Sequence, residues 1–285
     1  MQKREYGNTG ETLSIIGFGG IIVSQTETDE AARLVGEAYD RGINYYDVAP
    51  TYGNAQEMLG PALEPYRQDV FLACKTTERT AAGSRRELEE SLRLLRTDHI
   101  DLYQMHSLNT PEDLATAMGP GGALETFVKA RDEGKTRYLG FSSHSAEVAM
   151  ELMDEFGFDS VLFPVCWVNY FGSGFGPQVI EKAEKKGLAR LALKAMAHGK
   201  MPEGAERKWK KCWYQPIEDP DLADLALRFA LSQPITAAVT PGEGHFLHTA
   251  IDIGERFTPI TDAEIEELKR QAESSTPIFE LAAAG

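Results

Sequence analysis

Eight times along the chain a short apolar run gives way to a segment of helical period, and this alternation constrains the fold more than any other feature. The runs fall at 14–17, 43–47, 70–74, 100–104, 137–141, 160–164, 190–194 and 236–240. Between them, Leu88, Leu92 and Leu95 mark one helical stripe, and Leu222, Leu225, Ala226 and Phe229 mark another. Strands separated by helices must run parallel, because the helix carries the chain back to the starting edge. A doubly wound sheet and a closed barrel both satisfy that rule. Eight units in 285 residues with no internal linker favour a (β/α)8 TIM barrel, in one domain spanning 1–285.

The boundaries carry their own signals. Ser84 with Glu87, and Thr261 with Glu264, read as capping boxes, in which side chain and backbone satisfy each other's free N–H groups. The second of these opens an extra C-terminal helix through Ile265 and Leu268. Asp219-Pro220 reads as an N-cap followed by proline in the first helical position. Gly42, Gly134 and Gly187 stand where helices should stop. The turn-forming stretch at 6–11 precedes the first barrel strand, so a short N-terminal hairpin should cap the barrel floor. The connection at 199–220, with Trp209, Trp213 and Tyr214, is long enough to serve as a lid.

Composition removes several function classes. A net charge of −15 argues against nucleic acid, whose phosphates require a surplus of Lys and Arg on some face. No apolar stretch is long enough to cross a bilayer, and the opening MQKREY lacks the apolar core of a signal peptide. A cytoplasmic protein is expected. Cys74, Cys166 and Cys212 are too few and too scattered for a disulfide framework or a zinc site, and no metal is expected.

In parallel barrels the reacting groups sit at the C-terminal ends of strands. That rule selects Asp47, Tyr52 five residues on, Lys75 and His106. A phenol in water holds its proton to about pH 10. A lysine ammonium beside it favours the phenolate, and a carboxylate keeps that lysine charged and aimed. A neutral histidine can then orient a carbonyl oxygen. The four together make a general acid for an oxygen on which negative charge develops. Carbonyl reduction needs such an acid, together with a hydride that no side chain supplies.

The residues around these four resemble the aldo-keto reductase superfamily over almost the whole chain. IIGFGG at 15–20 is similar to its first strand and loop, GINYYDVAPTYG at 42–53 to its most specific motif, VFLACK at 70–75 to its lysine strand, and IDLYQMH at 100–106 to its histidine strand. The resemblance implies catalysis by Asp47, Tyr52, Lys75 and His106, with Tyr52 as proton donor to an aldehyde or ketone and hydride arriving from a nicotinamide. It implies cofactor contacts from Gly20, from Ser142 and Ser143, from Lys194 and Ala197, and from Pro241, Gly242 and Glu243. Two positions depart from the family: Ser143 stands for the usual Asn, and Leu162 for the usual Gln, on the nicotinamide carboxamide. Tyr45, Trp167 and Trp213 are candidates for the substrate pocket, Trp167 also as a stacking partner where 191–193 offers no aromatic.

Glu243 stands where members that prefer NADPH usually carry a cation. A carboxylate there repels a 2′-phosphate and accepts a bond from a free ribose hydroxyl, which admits NADH. The alternative is that Glu243 faces solvent and the phosphate is served from elsewhere. Three functions remain open on these residues: an NADPH- or NADH-dependent reductase, a nucleotide-binding regulatory or sensor protein with little turnover, and a Schiff-base aldolase or isomerase using Lys75.

Overall fold

The computed structural model describes residues 1–281. The chain opens with a hairpin of β1 (Lys3–Glu5) and β2 (Thr12–Ser14), paired antiparallel. Then come β3 (Ile16–Gly19), α1 (Thr28–Asp40), β4 (Tyr45–Asp47), α2 (Ala55–Leu63), β5 (Phe71–Thr76) and α3 (Ala81–Leu94). β6 (Ile100–Met105) leads to the pair α4 (Pro111–Met118) and α5 (Ala123–Asp132), and β7 (Thr136–Ser142) to α6 (Ala146–Glu155). β8 (Ser160–Pro164) leads to α7 (Trp167–Ser173) and α8 (Pro177–Lys185). After β9 (Ala189–Leu193) the chain makes a small hairpin, β10 (Ala197–Gly199) with β11 (Gln215–Pro216), before α9 (Pro220–Ser232). β12 (Ala237–Val239), α10 (Gly244–Glu255) and α11 (Asp262–Ala272) complete it. The parallel strands close in the order β12-β3-β4-β5-β6-β7-β8-β9, which is the eight-stranded barrel expected from the alternation. The floor hairpin and the C-terminal helix are also present.

Alternation along each strand divides the apolar residues between two cores. Outward side chains such as Leu72, Tyr103 and Val161 meet the helices through Val35, Leu88, Phe127 and Leu152. Inward ones, including Tyr45, Phe71, Leu102, Leu162 and Leu191, fill the barrel, and Tyr6 and Leu13 of the hairpin plug it from below. Space inside is tight. A Cβ on Gly17 would lie 2.5 Å from the Tyr45 ring, so glycine there is what admits a large aromatic in the neighbouring strand.

Three local expectations changed. The run at 14–17 is divided: Ser14 ends the hairpin, its hydroxyl donating to the Ile16 carbonyl at 2.7 Å, and the barrel strand starts only at Ile16. Ser84 caps nothing. It is buried inside α3, whose N-cap is Thr80, extended at φ −96° and accepting from the Gly83 N–H at 3.1 Å. Glu87 instead reaches back to the end of β5, accepting from the Thr76 hydroxyl and, at 3.1 Å, from the Thr77 N–H. Tyr45, placed in the substrate pocket from sequence, belongs to the barrel filling, fully buried with its ring against Phe71. The Thr261–Glu264 capping box, the Asp219 cap and the left-handed helix stops at Gly42, Gly134 and Gly187 are all observed.

Moving the cap from Ser84 to Thr80 separates two substitutions. Thr80→Ala should lower the unfolding free energy by about 1 kcal/mol, the usual value of an N-cap hydroxyl. Ser84→Ala should cost clearly less, since its hydroxyl only meets a helix carbonyl already bonded. Urea denaturation of the two variants checks the order, and equal losses would return the cap to Ser84.

Candidate active site

The mouth of the barrel is built by strand parity. β4 ends on inward-facing Asp47, and Lys75 lies one residue short of the end of β5. His106 follows β6 directly, its N–H donating to the Thr76 carbonyl at 2.8 Å. Tyr52 comes from the turn after β4, where its N–H meets the Ala49 carbonyl at 3.1 Å and Gly53 takes φ +61° to lead into α2. All four residues selected from sequence therefore converge.

Their contacts define the chemistry. Lys75 Nζ donates to Asp47 Oδ2 and, at 3.2 Å, to the Val48 carbonyl, and both side chains are almost fully buried. The same ammonium lies 5.3 Å from the centre of the Tyr52 ring. The His106 ring stands edge-on to Tyr52, centroids 6.0 Å apart, with Nδ1 3.5 Å from the Thr51 hydroxyl. Gln104, two residues before His106 and so on the same inward parity, donates from Nε2 to Asp47 Oδ1 at 3.1 Å.

Burial is the largest single influence on each group. It pushes the Asp47 carboxyl up, while Lys75 and Gln104 pull it back. Burial works against the Lys75 charge as well, but Asp47 and Tyr52 more than offset it and hold the ammonium above its ordinary value. The Tyr52 phenol is raised by burial, with the Lys75 charge opposing. His106 is driven down to about 3, by burial first and by Lys75 second. At neutral pH the site therefore holds a protonated phenol, a neutral imidazole and a charged lysine–carboxylate pair. A lysine held in a buried ion pair with a carboxylate is a poor amine nucleophile, which counts against the Schiff-base alternative.

Above this group lies a cavity of about 120 Å³ walled by Gly19, Tyr52, Lys194, Trp213, Tyr214 and Gly242. A larger hollow of about 670 Å³ lies at the opposite, floor end among Arg4, Arg190 and Phe257, away from these groups. The mouth is roofed by the segment 200–214, as the length of that connection suggested. Trp209 stacks on His245 with rings 7° from parallel, the Lys211 N–H donates to Glu243 Oε1 at 3.2 Å, and Lys211 Nζ donates to the Ile22 carbonyl at 2.6 Å. Trp213 and Tyr214 hold the Lys194 ammonium 4.9 and 4.7 Å from their ring centres. Lys194 is at φ +65°, a backbone region costly for a lysine, and burial pushes its pKa down to about 8.

The remaining candidates divide. Lys194, Pro241, Gly242 and Trp213 line the cavity, with Glu243 beside them tied to the lid backbone and not turned out to solvent. Gly20 does not line it: a Cβ there would meet Val48 at 2.8 Å, so this residue packs on the following loop while Gly19 and Ile21 face the cavity. The Ser142 hydroxyl accepts from the Ser107 N–H at 2.8 Å, and that of Ser143 bridges to the backbone of Ser145. Ala197 is buried in β10, where its carbonyl accepts the Trp167 indole N–H at 3.0 Å. Trp167 is consequently a fully buried packing residue, not a pocket wall. Leu162 lies in the barrel interior. Sequence reading passed over Gln104, Thr240, Lys211 and His144. Parity with His106 was available as a signal for the first, and the end of the run 236–240 for the second; Lys211 and His144 follow from loop paths that have no period.

Comparison with known proteins gives this barrel its class, an oxidoreductase. The aldo/keto reductase family model matches residues 15–273, and the chain belongs to that family. It is 26% identical over 272 residues to the uncharacterized oxidoreductase YqkF of Bacillus subtilis, covering 85% of this chain and 87% of that one. It is 27% identical over 228 residues to L-galactose dehydrogenase of Arabidopsis thaliana, covering 73% and 70%. The holo form of the aldo-keto reductase AKR11C1 from Bacillus halodurans shares the fold with a TM-score of 0.75 at 24% identity, covering 97% of this chain and 98% of that one. No helix among the described residues is long and apolar enough to cross a membrane.

His144 gives the site a pH signature. It stacks on Phe279 at 4.8 Å, and burial drives its pKa from 6.5 to about 3, as for His106. Both values are depressed, so below 6.5 the unfolded chain binds protons that the folded chain refuses until about 3. Stability is whole above that window and is lost as pH falls through it. The urea midpoint should drop between pH 7 and 5 (about 1.4 kcal/mol per pH unit for each such group). His144→Phe should make the drop shallower, and an unchanged slope would remove His144 from this account.

Proposed function

We propose that the protein reduces an aldehyde or ketone to an alcohol with a nicotinamide cofactor, through one barrel domain in which Tyr52 is the proton donor. The observation that carries this reading is the buried Lys75–Asp47 pair beneath a protonated Tyr52 and a neutral His106. His106 orients the carbonyl oxygen, neutral and so able to offer a hydrogen bond without carrying charge into the site. As negative charge grows on that oxygen, Tyr52 passes it the phenolic proton. Lys75 stabilises the phenolate left behind, and Asp47 keeps Lys75 charged. Reduced nicotinamide, when bound, supplies the hydride.

The residues at the mouth fit such a group. Lys194 faces aromatic rings with no carboxylate among the groups shifting its pKa, which suits a pyrophosphate. Gly242 offers bare backbone, a Cβ there meeting Lys211 at 2.7 Å. Small-molecule sites commonly measure about 300–1,000 Å³, so a cavity of about 120 Å³ requires the segment 200–214 to withdraw from Ile22 and Glu243 on binding. The Glu243 carboxylate, in the loop that by family resemblance would hold the adenosine phosphate, supports use of NADH as well as NADPH.

A second reading is a nucleotide-binding sensor with little turnover. It is favoured by the two departures at the carboxamide positions, since the Ser143 hydroxyl is engaged with the backbone of Ser145 and Leu162 fills the barrel.

Purified protein mixed with NADPH or NADH and 4-nitrobenzaldehyde or 9,10-phenanthrenequinone should consume the reduced cofactor. Tyr52→Phe should lower kcat by about 10²–10⁴-fold, the usual contribution of a positioned general acid. Tight cofactor binding without turnover on a broad carbonyl panel would establish the sensor instead. Dissociation constants for the two cofactors test Glu243, and clearly tighter NADPH binding would defeat the NADH assignment.

A further inference from the structure

Resting on the reading of Tyr52 as proton donor, we propose that Gln104 is a fifth, positioning member of the catalytic group, acting on Tyr52 through Asp47 and Lys75. It touches neither the phenol nor the mouth of the cavity. Its place follows from register. Gln104 pairs with Lys75 across β5 and β6, and its parity turns the side chain inward below His106. There Nε2 donates to Asp47 Oδ1 at 3.1 Å, while Lys75 takes Oδ2. Each carboxylate oxygen thus has one dedicated donor, one of them a neutral amide.

The orientation of that amide is determined. Turned over, it would set the oxygen Oε1 against a buried carboxylate, and two acceptors in contact repel. In the orientation observed, Oε1 meets no donor among the described residues. The side chain leaves its own acceptor unsatisfied and spends its N–H on Asp47. A structural glutamine selected for its own hydrogen bonds would not be placed so.

The consequence reaches the phenol in two steps. The Gln104 N–H favours the ionised form of Asp47, which burial disfavours. Without it, the Asp47 carboxylate becomes more basic and draws the shared proton from Lys75. A less cationic Lys75 stabilises the phenolate less, so the Tyr52 proton becomes harder to give up. Gln104 thereby tunes the acidity of the proton donor without contributing to substrate affinity.

Gln104→Leu keeps the bulk and removes the donor. Its kcat for 4-nitrobenzaldehyde should fall about tenfold, the scale of one hydrogen bond to a charged group, with KM within about twofold. The alkaline limb of its pH–kcat profile, where Tyr52 loses its proton, should move to higher pH. Gln104→Glu supplies a donor only while the introduced acid is protonated, and the neighbouring Asp47 raises its pKa. That variant should regain activity toward acid pH and show a new descending limb that the wild type lacks. Near-UV circular dichroism reports folding, and if Gln104→Leu does not fold, the profile of Gln104→Glu decides. An unchanged kcat and limb in folded Gln104→Leu, or a wild-type profile in Gln104→Glu, overturns the proposal. Tyr52→Phe separates the two failures: full turnover in that variant defeats the reading of the whole site, whereas its inactivity beside an unaffected Gln104→Leu defeats Gln104 alone.

Discussion

The contact between Lys75 and Asp47 is an ion pair held almost entirely out of water, and such pairs are poor investments in stability. Moving two charges from water into a protein interior costs several kcal/mol per ion, and mutual attraction returns that only with good geometry and further hydrogen bonds. Here the extra bonds come from the Val48 carbonyl on one side and the Gln104 amide on the other. Three adjacent strands, β4, β5 and β6, are thereby joined inside the barrel by side chains as well as by their ladders. Removing either partner alone would strand a buried charge, so the pair demands that β4 and β5 keep their register of Asp47 against Ala73. A slip of one residue would turn both charged groups into the apolar shell under the helices.

Around that pair the same physical effect produces opposite protonation behaviour. Burial raises the phenol and lowers the imidazole, since in each case it penalises the charged form. Tyr52 and His106 are consequently both neutral, above the compensated Lys75–Asp47 pair. In the proposed reaction, charge developing beside them would find Lys75 already in place to meet it. The lid reinforces this by holding the Trp213 and Tyr214 rings over the mouth.

The barrel was legible because it is written in periods. Alternation within strands and spacing within helices are local, repeated eight times, and tolerant of errors of two residues at each end. Asp47, Lys75 and His106 were legible for a related reason, since strand ends in parallel barrels are where side chains leave the core. Features without a period were read poorly. Tyr45 and Asp47 have the same parity, and nothing in the run YYD says that the first stays in the barrel while the second reaches the mouth. That depends on the tilt of the strands and on the room left by Gly17. Trp167 looked like a pocket wall because it follows a strand end, yet α7 starts on it and turns its indole onto Ala197. Ser84 and Glu87 have capping-box spacing, but the true helix start lies four residues earlier, where Thr80 meets the same requirement.

The two lysines at the mouth show how placement divides labour between identical side chains. Lys75 finds its carboxylate within the chain, and its charge is raised and immobilised. Lys194, half-buried just past the end of β9, lies against two aromatic faces, and desolvation, helped by Lys75 and opposed by the thiols of Cys212 and Cys166, lowers its pKa to about 8. Ring faces attract a cation, but less strongly than an anion does. The positive φ at Lys194 adds backbone strain to an electrostatic deficit. Neither is relieved by any neighbour described here, in a chain with 44 carboxylate side chains to draw on. The barrel thus satisfies the lysine beneath the phenol from within and leaves the one under the lid without a carboxylate partner among the described residues, and on that difference rests the proposal that the first belongs to the machinery and the second to the binding surface.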